Sequence, residues 1–376
     1  MKIGYDAKRA FQNFTGLGNY SRTLIETLTT HFPENEYHLF TPKLNDLPRV
    51  AMVTTHPSVK VHLPKDSLSK KVPALWRLYT INKDIRNSDI KIFHGLSHEL
   101  PLSMPPTVRS VVTIHDLIHE RYPNFYPFID RKIYSFKFKK ACQQADIIVA
   151  ISEQTKRDII DFYKVDPSKI QVIYQSCDPI FYKSKPSKNK DEIVKKYNLP
   201  SSFMLYVGTV NERKNLLSLV KALKTLENQP DINLVVIGDG GAYFQIVKKY
   251  VTENGLQKRV SFLTKIEFTD LPTIYTLARV FVLPSFFEGF GIPIIEALWS
   301  GTPVISSIDS CFDEAGGPDS VYINPHNIDA LSAAINRVWY DENLRSQMIL
   351  RGSYFVKKFG DEGIAEQWTK LYQSLL

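Results

Sequence analysis

The sequence predicts an α/β protein made of two parallel-sheet domains. Three observations carry that prediction. Short apolar runs alternate with segments of helical period through both halves of the chain. Most of these runs end in glycine-rich or polar turns, as strands feeding crossover helices do. The 376 residues also exceed what a single core usually supports.

In the first half, strands are expected at residues 2–5, 37–40, 59–62, 92–94, 110–114 and 147–150. After the first comes a glycine loop at 13–19 (NFTGLGN), then a helix through Leu24, Ile25 and Leu28. In the second half, strands are expected at 203–207, 234–237, 261–263, 280–283, 303–306 and 321–323. Residues 183–192 (KSKPSKNKDE) are charged and apolar-free, the composition of an exposed linker. This divides the chain into a domain over 1–182 and a second over 190–358. The last helix, about 360–376, carries Ile364, Trp368, Leu371, Tyr372 and Leu375 near helical period.

Apolar residues make up 43% and charged residues 23%, so two ordinary cores can be buried. No run of eighteen apolar residues suggests a membrane span. The start MKIGYDAKRA reads as a strand, because no apolar stretch of signal-peptide length follows the first lysine. Cys142, Cys177 and Cys311 are odd in number and far apart, which is neither a disulfide framework nor a zinc pattern. A cytoplasmic, reducing compartment is expected.

The net charge of +8 argues for anionic partners: a nucleoside diphosphate, an anionic lipid surface or nucleic acid. No nucleic-acid-binding signature is present, so that class is set aside. Two stretches, 65–86 and 131–140, interleave cations with aromatics. That pattern suits peripheral contact with an anionic membrane, here its inner face. A core-facing helix with a solvated basic back is the plainer reading of each stretch.

The most informative stretch is 285–306, SFFEGFGIPIIEALWSGTPVIS. A strand ends, a glycine loop comes next, and Pro293 sits where a helix can start without losing a hydrogen bond. Gly301 stops that helix. Glu288 therefore lies in the loop and Glu296, eight residues on, inside the helix. Backbone N–H groups at such a helix start favour anions, and glycines allow close approach. Carboxylates beside them suit sugar and ribose hydroxyls. In 206–216, YVGTVNERKNL, a strand ends at Gly208, and Arg213 and Lys214 stand at the next helix start, placed to face a diphosphate. In 113–119, TIHDLIH, His115 and Asp116 fall at the carboxyl end of a strand, where open α/β sheets bind ligands. A metal cluster of His115, Asp116 and His119 is the alternative there.

Together, PSFFEGFGIPIIEALWSGTPVI and YVGTVNERKNL resemble the signatures of the retaining, nucleotide-sugar-dependent glycosyltransferases of family four (group 1). The resemblance spans essentially the whole chain. It implies the GT-B fold, two Rossmann-like domains facing across a cleft, with the C-terminal helix crossing back onto the first domain. It implies that Glu288 contacts the transferred sugar and Glu296 the ribose. Arg213 and Lys214 would stabilise the leaving diphosphate, and His115 would border donor and acceptor. Gly16, Gly18, Gly208, Gly238, Ile266, Phe290, Gly291 and Ile292 are the remaining donor-binding candidates, several through backbone groups. Glu314 is weighed between support of the nucleotide side and a structural role.

Two departures stand out. Some relatives carry an arginine directly after the first glycine, where this chain has Thr209. The family's Asn-Gly-Val-Asp turn is here Gln175, Ser176, Cys177 and Asp178, which puts any specific role for that turn in doubt. Ser152, in AISEQTK, reads equally as a helix cap and as the family's strand-end serine.

The implied reaction moves a hexose, with a lean to mannose, from a nucleotide-diphosphate sugar to a glycan or glycolipid acceptor in surface polysaccharide assembly. No metal and no further cofactor is expected. A nucleotide-sugar 2-epimerase or hydrolase of the same fold, or a non-catalytic sugar-nucleotide-binding protein, are the alternatives.

Overall fold

In a computed structural model of the chain, residues 1–13, 16–45, 48–183 and 189–376 are described. They divide into two units: Met1–Ser176 with Phe359–Leu376, and Cys177–Lys358. Residues 184–188 of the expected linker lie outside the described residues.

The first unit holds strands β1 (Lys2–Asp6), β2 (Glu36–Phe40), β3 (Val59–His62), β4 (Ile92–Gly95), β5 (Arg109–Ile114), β6 (Ile147–Ala150) and β7 (Ile170–Val172), all parallel, in the order β3-β2-β1-β4-β5-β6-β7. Both faces of the sheet are covered, which is why its central strands lack a polar alternation. One face packs Ile3, Tyr5, Leu24, Leu28, Trp368 and Tyr372 together. The other packs Trp76, Phe93, Val112, Ile148 and Ile159.

The second unit holds β8 (Met204–Val207), β9 (Leu234–Ile237), β10 (Val260–Leu263), β11 (Val280–Leu283), β12 (Val304–Ser307) and β13 (Val321–Ile323), again all parallel, in the order β10-β9-β8-β11-β12-β13. In both sheets the chain starts near the middle and winds outward on each side. This doubly wound order puts all the strand carboxyl ends on one edge, where ligand loops gather.

Each expected strand is present to within a residue or so at its ends. Only β7 was not expected. It is three residues long, at the sheet edge, and contains Gln171, so no apolar run marks it.

Helices of the first unit include α1 (Lys8–Gln12), α2 (Gly16–His31) and α3 (Phe128–Gln144). The expected loop at 13–19 needs correction. Phe14 and Thr15 lie outside the described residues, but Gly16 and Gly18 are already in the first turn of α2. Gly18 has a packing reason: a Cβ there would meet the Asn13 carbonyl oxygen at 1.8 Å. In the second unit α4 (Ile292–Trp299) carries Glu296, beginning slightly earlier than expected, with Gly291 at its N-cap in a left-handed conformation (φ 107°). The C-terminal helix α5 (Asp361–Gln373) belongs to the first unit. His94 Nδ1 pairs with the Tyr372 hydroxyl at 2.8 Å, and His31 pairs with Asp361 at 2.9 Å.

Candidate active site

In the second unit the loops after β8 and β11, neighbouring strands, bring three charges together. One oxygen of Glu288 lies 2.6 Å from Arg213, and the other lies 2.9 Å from Lys214 Nζ. The Ser285 hydroxyl adds a third hydrogen bond to Glu288, at 3.0 Å. All three charged side chains are largely buried, at 12–18% exposure. Burial raises the carboxyl pKa of Glu288. Arg213 and Lys214 outweigh it and bring the value down to about 2, so this carboxylate is ionised at neutral pH.

Local sequence explains how the cations are held. Asn211 caps the short turn Glu212–Lys214 by accepting from the Lys214 N–H. Asn215 comes next, in the left-handed region (φ 55°), and its side-chain amide donates to the Pro284 and Pro325 carbonyls. The Phe286 N–H donates to the Arg213 carbonyl at 2.8 Å. Gly208 also has a φ of 145°, and a Cβ there would press on Lys214 Nζ at 3.1 Å. Gly238, at the end of β9, would clash with the Gly208 carbonyl at 2.0 Å if it carried a side chain. Glycine at both positions therefore lets the β8 and β9 loops close on each other and leaves room for the lysine.

Beyond Glu288, the Ser310 hydroxyl and the Cys311 thiol both donate to its backbone carbonyl, and Cys311 also reaches the Phe290 carbonyl at 3.0 Å. Burial pushes the Cys311 thiol well up, so this cysteine is a buried donor and not a thiolate. Phe290 and Gly291 are buried just ahead of α4, and Ile292 is its first residue. Glu296 is half-buried on that helix and accepts the Tyr275 hydroxyl at 2.9 Å. Ile266 lies half-buried in the stretch after β10. Gly208, Gly238, Ile266 and Glu288 thus come after four strands adjacent in the sheet. Glu314 sits half-buried on the short helix Phe312–Gly316.

In the first unit His115 comes just after β5 and is 4% exposed. Its Nε2 lies 2.9 Å from the Leu96 carbonyl, which can only accept, so Nε2 carries the proton. Nδ1 then accepts from the Gln175 amide at 3.2 Å. Burial lowers its pKa to about 4, the Leu96 bond opposing and Arg9 adding to the fall. His115 is therefore a neutral imidazole with both nitrogens engaged. Tyr20 of α2 packs edge-on against it at 4.6 Å, and that hydroxyl pairs with Thr113 at 3.2 Å. The start of α2, and so Gly18, is tied to His115 in this way. Gly16 is exposed, with open space around it.

The other residues of the metal alternative have protein partners. Asp116 accepts the Ile118 N–H, and His119 pairs with the Tyr163 hydroxyl. Among the described residues no three His, Cys, Asp or Glu side chains are grouped to hold an ion. Ser152 is a cap for the helix Glu153–Tyr163, accepting the Thr155 N–H at 3.0 Å.

Sequence reasoning missed Gln175, Tyr275, Ser285 and Ser310. Ser285 had a detectable signal, a short polar side chain three residues before Glu288. Gln175 sat in the turn whose role was in doubt, and it proves to be the donor that orients His115. Nothing in a linear sequence pairs Tyr275 with Glu296.

Residues 188–353 match the family described as Glycosyl transferases group 1, and residues 14–180 match Glycosyltransferase Family 4. The chain is 27% identical to the O-antigen chain mannosyltransferase B of Escherichia coli over the full length of both. It is 29% identical to the O-antigen chain mannosyltransferase RfbU of Salmonella typhimurium over 76% of each chain. Among solved structures it resembles sucrose-phosphate synthase from Thermosynechococcus elongatus, with a TM-score of 0.79 and 21% identity over 100% of this chain and 99% of that one. It also resembles Anabaena HepE in complex with UDP and glucose, with a TM-score of 0.77 and 18% identity over the whole of both chains. These structures share the GT-B fold.

Proposed function

The chain belongs to the family 4, group 1 glycosyltransferases, and on that premise we propose that it transfers mannose from a nucleoside-diphosphate sugar to a glycan or glycolipid acceptor during assembly of a surface polysaccharide. One observation carries the chemistry: the buried triad of Arg213, Glu288 and Lys214 at the carboxyl edge of the second sheet. The names of the two curated relatives support the sugar and the pathway class.

The step needs charge neutralised on a leaving diphosphate. Arg213 and Lys214 supply two fixed cations. In the structure Glu288 pairs with both. When a donor binds, its phosphates compete for both cations, and the Glu288 oxygens turn to the sugar hydroxyls. Glu296, oriented by Tyr275, accepts from the ribose. The glycosidic carbon–oxygen bond to phosphate breaks as the acceptor oxygen bonds to the same carbon from the same face, so configuration is retained. The acceptor proton passes to a phosphate oxygen of the leaving diphosphate. His115 is neutral and fully hydrogen-bonded, so in this reading it walls the acceptor side and does not serve as base. No metal is needed where two side-chain cations fill that role.

The outer face of α3 supports peripheral contact with an anionic membrane. Phe128, Ile129, Ile133 and Phe136 are exposed beside Lys132 and Lys139. Among the described residues no helix is long and apolar enough to cross a bilayer.

The test is turnover of GDP-mannose, UDP-glucose and UDP-galactose with an oligosaccharide or glycolipid acceptor, with the product anomer read by NMR. GDP-mannose is expected to be used best, giving an α-mannoside. Release of free sugar or an epimer regardless of acceptor overturns transfer in favour of hydrolysis or epimerisation. Tight nucleotide binding with no turnover on any donor favours the silent binder.

A further inference from the structure

The long helix α3 is apolar on two sides. Its inner side buries Phe138, Ala141 and Cys142. Its outer side leaves Phe128, Ile129 and Phe136 more than 60% exposed. Beside it lies a cavity of about 310 Å³. Leu78, Leu100, Leu102, Ile133, Phe136 and Ala141 make the apolar lining.

The wall facing α3 is already built. The Leu102 N–H donates to the Leu78 carbonyl at 2.9 Å, and Gln144 at the end of α3 donates to the Leu102 carbonyl at 2.6 Å. The cavity therefore needs no rearranged backbone to form. Its rim is cationic, with Lys132, Lys137 and Lys140 against a single carboxylate, Glu99. That carboxylate is already taken by Arg77 at 3.1 Å and by Lys137 at 3.3 Å. Among the described residues no carboxylate pairs with Lys132 or Lys140.

We propose that this groove takes one acyl chain of an anionic bilayer phospholipid, its phosphate resting on Lys132 and Lys140. The inference rests on the membrane reading above and sharpens it, from adsorption on a surface to a site for a single lipid. Three features select this occupant. The lining is apolar, so it favours a hydrocarbon over a glycan. The rim charge complements a phosphate. The groove is continuous with the exposed aromatic and aliphatic side chains of α3, which would bring the bilayer surface to its mouth.

The test uses the full chain and phosphatidylglycerol vesicles containing a small fraction of phosphatidylglycerol with a photoreactive chain end. After irradiation, adducts are mapped by mass spectrometry. Adducts on Leu100, Leu102 or Ala141 are expected. Leu102→Glu should lower them at least tenfold with the melting temperature retained, and Leu102→Met should keep them. Should Leu102→Glu unfold, Ile133→Glu, on the exposed lip, reads the same loss. Adducts confined to Phe128 and Ile129 overturn the groove and leave membrane contact standing. No vesicle binding overturns both. Groove adducts displaced by an equimolar lipid-linked glycan acceptor assign the groove to the acceptor and overturn the bilayer source.

Discussion

Replacing Glu288 with glutamine separates the two tasks given to this residue. Its carboxylate holds Arg213 at 2.6 Å and Lys214 at 2.9 Å. Burial opposes ionisation there, yet the two cations lower the pKa from 4.5 to about 2. At about 1.36 kcal/mol for each tenfold change in proton affinity, that is worth roughly 3 kcal/mol of stability at neutral pH. The unfolded chain binds the proton at higher pH than the folded one. The contribution is thus complete above pH 4.5 and is lost as pH falls toward about 2. Glutamine keeps the shape, removes the charge, and leaves two buried cations facing each other.

For a protein of this size each kcal/mol moves the melting temperature by about 2–4 °C, so Glu288→Gln should melt about 6–12 °C below wild type at pH 7. The gap should narrow as pH falls from 4.5 toward about 2, because the unfolded wild-type chain takes up its Glu288 proton in that range before the folded one does. A nucleoside diphosphate restores the missing negative charge. It should therefore raise the mutant's melting temperature at least as much as the wild type's. Turnover with the sugar donor should fall about a hundredfold, because the sugar loses an ionised acceptor. The assay is differential scanning fluorimetry across pH, with and without nucleoside diphosphate, beside steady-state kinetics. An unchanged melting temperature at pH 7, or lost diphosphate binding with turnover intact, refutes the reasoning.

Three further outcomes are expected. The double variant Arg213→Ala, Lys214→Ala should lose about 2–4 kcal/mol of transition-state stabilisation, and wild-type kcat in it would remove both residues from leaving-group duty. Gln175→Leu leaves His115 Nδ1 buried without a donor, which should cost about 1–3 kcal/mol in thermal unfolding and raise the acceptor KM more than the donor KM. An unshifted melting curve would show that the Gln175 bond is not made. Turnover should persist in excess EDTA, and a complete loss reversed by magnesium or manganese would overturn the metal-free reading.

The fold was legible because parallel strands buried on both faces are written as apolar runs, such as VFVL at Val280–Leu283 and IIVA at Ile147–Ala150. The edge strand Ile170–Val172 escaped because a half-exposed edge needs no such run. Gly16 and Gly18 were read as a loop because glycine is a poor helix former. The close approach of the Asn13 carbonyl, which makes glycine necessary at position 18, is a tertiary fact. The charges of the candidate site were visible as residue types, but their pairing was not. Arg213 and Lys214 were read as placed to face a diphosphate; their pairing with Glu288, 74 or more residues further on, was not read. Side-chain pairing across that separation leaves no local pattern.

That pairing also bears on which group takes the acceptor proton. A base needs an unshared lone pair at the reacting atom and a pKa near working pH. His115 is the residue type that usually fills the role, but its Nε2 proton is committed to the Leu96 carbonyl and its Nδ1 lone pair to Gln175. Burial has also lowered its pKa to about 4, too weak a base to gain a proton at neutral pH. Glu288, with a pKa near 2, is a weaker base still and spends its charge on two cations. Each is fixed by two or more protein partners, His115 in the first unit and Glu288 in the second. With neither residue a base at neutral pH, the proposed reaction has the substrate bring its own base, the phosphate oxygen freed as the sugar bond breaks. On the proposed reading, the protein's part is to hold that oxygen through Arg213 and Lys214, on the face from which the acceptor comes.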